Sequence, residues 1–561
     1  MLRHARRYAA LAYLELSEGI LRLLGRRRSY GILTLDLSGD LPEQLVEYRL
    51  FGLPQRQRDD YFNLIALLRW AREDPQLRAV LVRCRNLHAG WAKIQEIGRS
   101  LAALRAAGKK VWVYCAQAGL PEYVLASPAD QIVMAPAGTL DITGLSSEVT
   151  FIAGALKKLG IEAELVQVGK YKSAAEIFTR ADMSAPHREM VESLVQDLYG
   201  QVVETIAAGR KVDAAAVQAL LDGGPYVAHE ALQARLVDAV LYEDEAEDQL
   251  RAQCGHAAVI EARDYARRRG RAVRRTVLHR QRATIGLLHV TGTVKMGESV
   301  PGPDGASASG DASIARDLKE LRERDDIGAV VLRVASPGGS GLASDLMWHE
   351  VTRTRLRKPV IVSFGDVAAS GGYYIGVAGK PVIAEAGSIT GSIGVLAGKP
   401  LLRGLFDHLG VTRQVVSRGR HAGLYSSYLP LDAEGRERLQ TEAERFYTSF
   451  VSKVAAGRQL DPDAVDAAAQ GRVWTGRQAL GLGLVDHLGG LERALDEAKA
   501  LAGLRQDELV AVERYPKPKR LWKVSFNLSS PQAQLTSLVS WLPHVAQERV
   551  WAILPFGFRF F

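Results

Sequence analysis

Short apolar, β-branched runs alternate along this chain with stretches of helical periodicity. The runs Gly31–Gly39 (GILTLDLSG), Leu77–Arg83 (LRAVLVR) and Lys110–Val113 read as strands in the first half. Ile285–Gly292, Ile327–Arg333 and Pro359–Val362 read as strands in the second. Between the last two of these, the spacing of apolar residues from Leu342 to Arg357 predicts a helix that joins one strand to the next. Strand, helix, strand in this order predicts a parallel sheet covered by helices, an α/β fold.

The pattern occurs twice. Gly31–Gly39 corresponds to Ile285–Gly292, Leu77–Arg83 to Ile327–Arg333, and Lys110–Val113 to Pro359–Val362. Further along, Ile142-Thr143-Gly144 corresponds to Ile389-Thr390-Gly391, and Leu159-Gly160-Ile161 to Leu409-Gly410-Val411. Ala231 to Asp238 corresponds to Ala479 to Asp486. The anchors keep their order at a nearly constant offset of about 250 residues, a whole-domain repeat rather than a solenoid unit. The expected organisation is a first half at 29–257, a basic linker at 258–283 and a second half at 284–515. These are flanked by a basic amphipathic segment at 1–28 and an aromatic tail at 516–561.

Length and composition refine this picture. At 561 residues, 47% apolar and 24% charged, the chain is an ordinary globular protein with room for two domains. The net charge of +9 is clustered, as in Arg267-Arg268-Arg269-Gly270-Arg271, which favours an anionic lipid surface. No nucleic-acid partner is expected, because the basic run has no interleaved aromatic beyond Tyr265. Cys84, Cys115 and Cys254 are odd in number and widely spaced, so buried thiols are expected rather than a disulfide framework or a metal site. The run from Tyr8 to Leu24 is apolar but interrupted by Glu15, Glu18 and Arg22, and reads as a helix lying in a membrane interface. Residues 301–310 (PGPDGASASG) read as a flexible loop. Trp541, Trp551, Phe556, Phe558 and Phe560 make an apolar tail suited to a membrane interface or an oligomer contact.

The duplication offers an internal control for chemistry. Where the second half has Ser336-Pro337-Gly338-Gly339-Ser340, the first has Asn86-Leu87-His88-Ala89-Gly90. A Pro-Gly-Gly turn leaves N–H groups free and admits another backbone, as an oxyanion hole requires. The second half also has Asp366-Val367-Ala368-Ala369-Ser370-Gly371-Gly372, whereas the corresponding region after Cys115 contains no serine. Ser370 reads either as a nucleophile at a strand end or as a plain helix cap. The reciprocal difference is Lys172, which stands opposite Ala422, while its neighbour Lys170 stands opposite the equally basic Arg420. Lys172 reads either as a desolvated general base or as a solvated surface lysine. A Ser–His–Asp arrangement through His408 or His421 is a further reading.

Together, VGKYKSAAEIFTRADMS (168–184), ASPGGS (335–340), DVAASGGYYI (366–375) and GSITGSIGV (387–395) resemble the signal peptide peptidase A family, in its long form also called protease IV. The resemblance implies two tandem ClpP/crotonase-like domains and a Ser–Lys dyad assembled across them. Ser370 would be the nucleophile and Lys172 the base. Gly339, Gly371 and Gly338 would be oxyanion donors, and Ser392 would orient the lysine. It also implies a serine endopeptidase without metal or organic cofactor. The protein would be a homotetramer on the bacterial cytoplasmic membrane, peripheral or held by one N-terminal anchor, with remnants of cleaved signal peptides as substrates. An acyl-CoA-binding crotonase-type enzyme and a non-catalytic membrane scaffold would share the fold.

Overall fold

A computed structural model describes residues 30–44, 49–50, 53–54, 60–280, 283–300, 308–517 and 550–553. The segment expected at 1–28 lies outside the described residues, as do 518–549 and 554–561 of the tail. Among the described residues no helix is long and apolar enough to cross a membrane.

The first half is built on a parallel sheet of β1 (Ile32–Asp40), β2 (Ala79–His88), β3 (Lys110–Cys115), β4 (Gln131–Met134), β6 (Ala239–Val240) and β7 (Val259–Glu261), in the order β6-β4-β3-β2-β1-β7. Between β4 and β6 runs β5 (Glu162–Val168), which leaves this sheet. The second half repeats the plan with β8 (Thr284–Thr291), β11 (Ile327–Ser336), β13 (Val360–Ala369) and β17 (Val512–Tyr515), and with Val382–Ala384 and His487–Leu488 standing where β4 and β6 do. The far end of β13 also pairs with β14 (Ile389–Gly391), to which β16 (Val473–Thr475) runs antiparallel, so the path reads β16-β14-β13-β11-β8-β17. Strands covered on both faces read as continuous apolar runs rather than alternating ones. Accordingly Val80 to Val82 and Ala329 to Leu332 are all fully buried.

Helices α1 (Tyr61–Glu73), α2 (Trp91–Ala106), α3 (Ala185–Arg210) and α4 (Ala262–Arg280) belong to the first half. Helices α5 (Gly341–Arg355), α6 (Gly371–Gly376), α7 (Ala433–Arg458) and α8 (Leu491–Leu501) belong to the second. The helix expected from Leu342 to Arg357 is α5. Helices α3 and α7 show the duplication most directly. Each has 26 residues, an acceptor side chain at its start (Ser184 for His187 N–H, Asp432 for Gly435 N–H) and a left-handed residue at its end (Lys211, Gln459).

A third, six-stranded sheet binds the halves together. Its order is β10 (Ala308–Gly310), β9 (Thr293–Lys295), β12 (Gly338–Ser340), β18 (Val550–Ile553), β15 (Val395–Leu401) and β5. First-half β5 runs antiparallel to second-half β15 from Glu162 opposite Leu401 to Val168 opposite Val395. Glu96 on α2 accepts from the N–H groups of Leu491 and Glu492 at the start of α8. Glu43 pairs with the fully buried Arg333, and Lys93 with Asp366.

Three expectations change in detail. The 258–283 run carries β7, which pairs with β1, so the first sheet continues into the supposed linker before α4 begins. Residues 308–310 form β10 instead of loop, because Val294 and its neighbours on β9 offer a parallel partner. The tail contributes β18 to the third sheet. Cys84, Cys115 and Cys254 are free and buried.

Candidate active site

The second sheet meets the third at the C-terminal end of β13. Ser370 follows that strand with φ 53 and ψ −114, a conformation that costs a non-glycine residue about 1–3 kcal/mol. The surroundings impose it. Ser370 N–H donates to Gly391 O at 2.8 Å, and Ser370 O accepts from Tyr374 N–H at 2.8 Å as α6 begins. The hydroxyl makes no capping bond to α6. It points instead at Lys172 Nζ, 2.7 Å away.

Lys172 arrives from the other half of the chain. After β5, Gly169 (φ 111) turns the backbone, Tyr171 N–H donates to Gln470 O, and Lys172 N–H donates back to Gly169 O. A short 3-10 turn, Ser173–Ala175, follows, and Lys172 itself is fully buried. Gly471 (φ 77) lies directly on Lys172, and a Cβ there would sit 2.5 Å from Lys172 N. Burial lowers the Lys172 pKa well below its ordinary value, and no carboxylate opposes the shift. Lys172 Nζ also lies 3.0 Å from both Ser392 O and Ser392 Oγ. A neutral amine has two N–H donors and one lone pair. In that form Ser392 takes the two donors, which leaves the lone pair facing Ser370 Oγ.

The Pro-Gly-Gly turn stands beside this pair. Gly339 (φ 154) approaches β9 so closely that a Cβ would lie 2.0 Å from Val294 O. Gly371 opens α6, where N–H groups have no partner inside the helix. Gly338 differs from its expected role: its N–H donates to Ser336 Oγ at 3.1 Å, and that hydroxyl donates to Gly292 O at 2.6 Å. The engaged N–H removes Gly338 from the free donors and makes Ser336 the brace of the turn. The site thus brings together Ser370, Lys172, Ser392, Gly339 and Gly371. His421 instead pairs with Glu434 at 3.3 Å, and among the described residues the bond to Ser370 Oγ comes from Lys172.

Sequence reading missed Ser336, Gln470 and Gly471. Ser336 sits inside the quoted ASPGGS motif, so its signal was present. Gln470 and Gly471 had none, since their role depends on a contact with residues 300 positions earlier.

The family model for peptidase family S49 matches residues 103–256 and 353–505, one match in each half. The chain belongs to peptidase family S49. Several relatives cover most of this S49 peptidase. "Serine protease SPPA, chloroplastic" from Arabidopsis thaliana is 32% identical over 502 residues, 88% of this chain and 72% of the relative. "Protease 4" from Haemophilus influenzae is 32% identical over 507 residues, 86% of this chain and 81% of the relative. A shorter match, "Putative signal peptide peptidase SppA" from Enterococcus faecium, is 36% identical over 183 residues, 32% of this chain and 53% of the relative. The S49 peptidase is therefore a serine-type peptidase with two tandem α/β domains related by duplication.

Proposed function

We propose that this S49 peptidase cleaves peptides through a dyad of Ser370 and Lys172, and that it degrades signal-peptide remnants and other unfolded apolar peptides at the bacterial cytoplasmic membrane. The observation that carries the dyad is the buried Lys172 Nζ, 2.7 Å from Ser370 Oγ with no acidic partner. Neutral Lys172 takes the Ser370 proton as Oγ bonds to the scissile carbonyl carbon. The N–H groups of Gly339 and Gly371 hold the resulting oxyanion. Loss of one such donor raises the barrier by about 2.7–4 kcal/mol. Lys172 then returns the proton to the leaving amine, and water hydrolyses the acyl-enzyme. The substrate class is supported by the name of the Enterococcus faecium relative.

Assembly as a homotetramer is part of the same proposal, and the duplication supports it. Strand β5 of the first half is covered by β15 of the second. The counterpart of β5, residues 412–418, and the run 145–151 that follows Gly144 as β15 follows Gly391 make no backbone hydrogen bond among the described residues. Val416 is 96% exposed. Copies joined head to tail through these two edges would close into a ring. Light scattering on the purified protein tests this, with four copies expected and a stable monomer excluding it.

The dyad is tested by labelling wild type, Ser370→Ala and Lys172→Ala with a fluorophosphonate probe and mapping the adduct by mass spectrometry. An adduct on Ser370 that vanishes in both variants is expected. Labelling that persists in Ser370→Ala refutes the nucleophile assignment.

A further inference from the structure

The slot beside the oxyanion turn is already filled. Strand β18 lies antiparallel to β12 on one side, with Ile553 opposite Gly338, Ala552 opposite Gly339 and Trp551 opposite Ser340. On its other side it lies antiparallel to β15, with Trp551 opposite Leu396 and Val550 opposite Ala397. It also packs against α6, the helix that Ser370 opens. Take β18 away, and β12 and β15 become two facing edges with room for one strand between them. An extended peptide that adds to such edges is held by main-chain bonds and is accepted with little regard to sequence. A scissile bond near Gly339 and Ser370 requires a substrate strand along β12, the place β18 holds.

We infer that residues 550–553 are a removable plug: the chain's own C-terminal segment occupies the substrate slot and keeps the enzyme latent until it is displaced. The inference rests on the peptidase reading of Ser370 and Lys172. Residues 518–549 tether the plug to the second domain. A tethered competitor acts at an effective concentration of roughly millimolar, enough to raise an apparent KM without touching the chemistry. Because the competitor is part of the chain, the latency it imposes does not depend on enzyme concentration.

The test compares three full-length or near-full-length proteins: wild type, a chain ending at Arg549, and Ala552→Pro. Proline removes a backbone N–H and is not accommodated in a central strand. The readouts are hydrolysis of an internally quenched apolar peptide and the rate of fluorophosphonate labelling of Ser370. Both altered proteins are expected to label faster and to show KM lowered by about tenfold with kcat unchanged. A synthetic peptide spanning residues 546–557 should then inhibit the shortened chain competitively. Equal labelling rates and equal KM in all three proteins, each shown to be folded by its melting transition, would overturn the plug and leave the dyad standing. Absence of labelling in all three would instead overturn the peptidase reading and the plug with it.

Discussion

Replacing Gly471 by alanine should disable the enzyme from a residue that touches no substrate. Gly471 has φ 77, and an added Cβ would meet Lys172 N at 2.5 Å and Lys172 Cα and Cβ at 2.6 Å. Two costs follow. The left-handed backbone disfavours alanine by about 1–2 kcal/mol. The segments must also part by about 1 Å to reach an ordinary contact of about 3.5 Å. Lys172 carries its Nζ at 2.7 Å from Ser370 Oγ, so a shift of its backbone lengthens the one bond that proton transfer requires. A misplacement of about 1 Å lowers turnover by roughly 100-fold. Hydrolysis of a quenched peptide and fluorophosphonate labelling would measure the loss, expected in kcat with the protein still folded. Gly481→Ala is the control, since nothing lies within 4 Å of a Cβ there. Gly471→Ala with kcat within about twofold of wild type would refute the claim that this contact sets the position of the base.

Three further outcomes follow from the same geometry. Lys172→Met should abolish hydrolysis yet stabilise the fold at neutral pH. The folded-state pKa of Lys172 lies below its unfolded value, so between the two the unfolded chain holds the extra proton and stability rises with pH. Denaturant titrations across that range should show the slope in wild type and its loss in Lys172→Met, and wild-type activity should rise with pH on a limb well below the ordinary lysine range. Ser392→Ala removes one of two acceptors of Lys172 Nζ, worth about 1 kcal/mol, so steady-state kinetics should show kcat reduced by about fivefold with KM little changed. Arg333→Met should destabilise the protein by about 3–5 kcal/mol in chemical denaturation, because it strips the buried Glu43 of its main partner. Burial alone would raise Glu43, but Arg333 and then Lys93 outweigh it and hold its pKa at about 2. Glu43 therefore stabilises the wild type above its ordinary value of 4.5, and that stability is lost as pH falls towards 2.

Much of the architecture was legible in local pattern. Continuous β-branched runs announced buried parallel strands, and their recurrence announced two copies of one domain. The comparison of copies isolated Ser370 and Lys172, since each is missing from the half that holds the other. The turn at Gly338-Gly339 was legible as a motif but not in its division of labour, because the Ser336 hydroxyl engages the Gly338 N–H. β7 was hidden in a basic run and β18 in an aromatic tail, and each became a strand only because a partner edge was waiting for it.

The sequence by itself determined the elements, their repetition and the identity of the reactive groups, because side-chain periodicity and turn chemistry act over a few residues. The tertiary structure decided whether those groups could react. Ser370 and Lys172 lie 198 positions apart, and the lysine's pKa falls well below its ordinary value only because the folded chain buries it. Desolvation is a property of everything packed around a charge, and no local pattern encodes it.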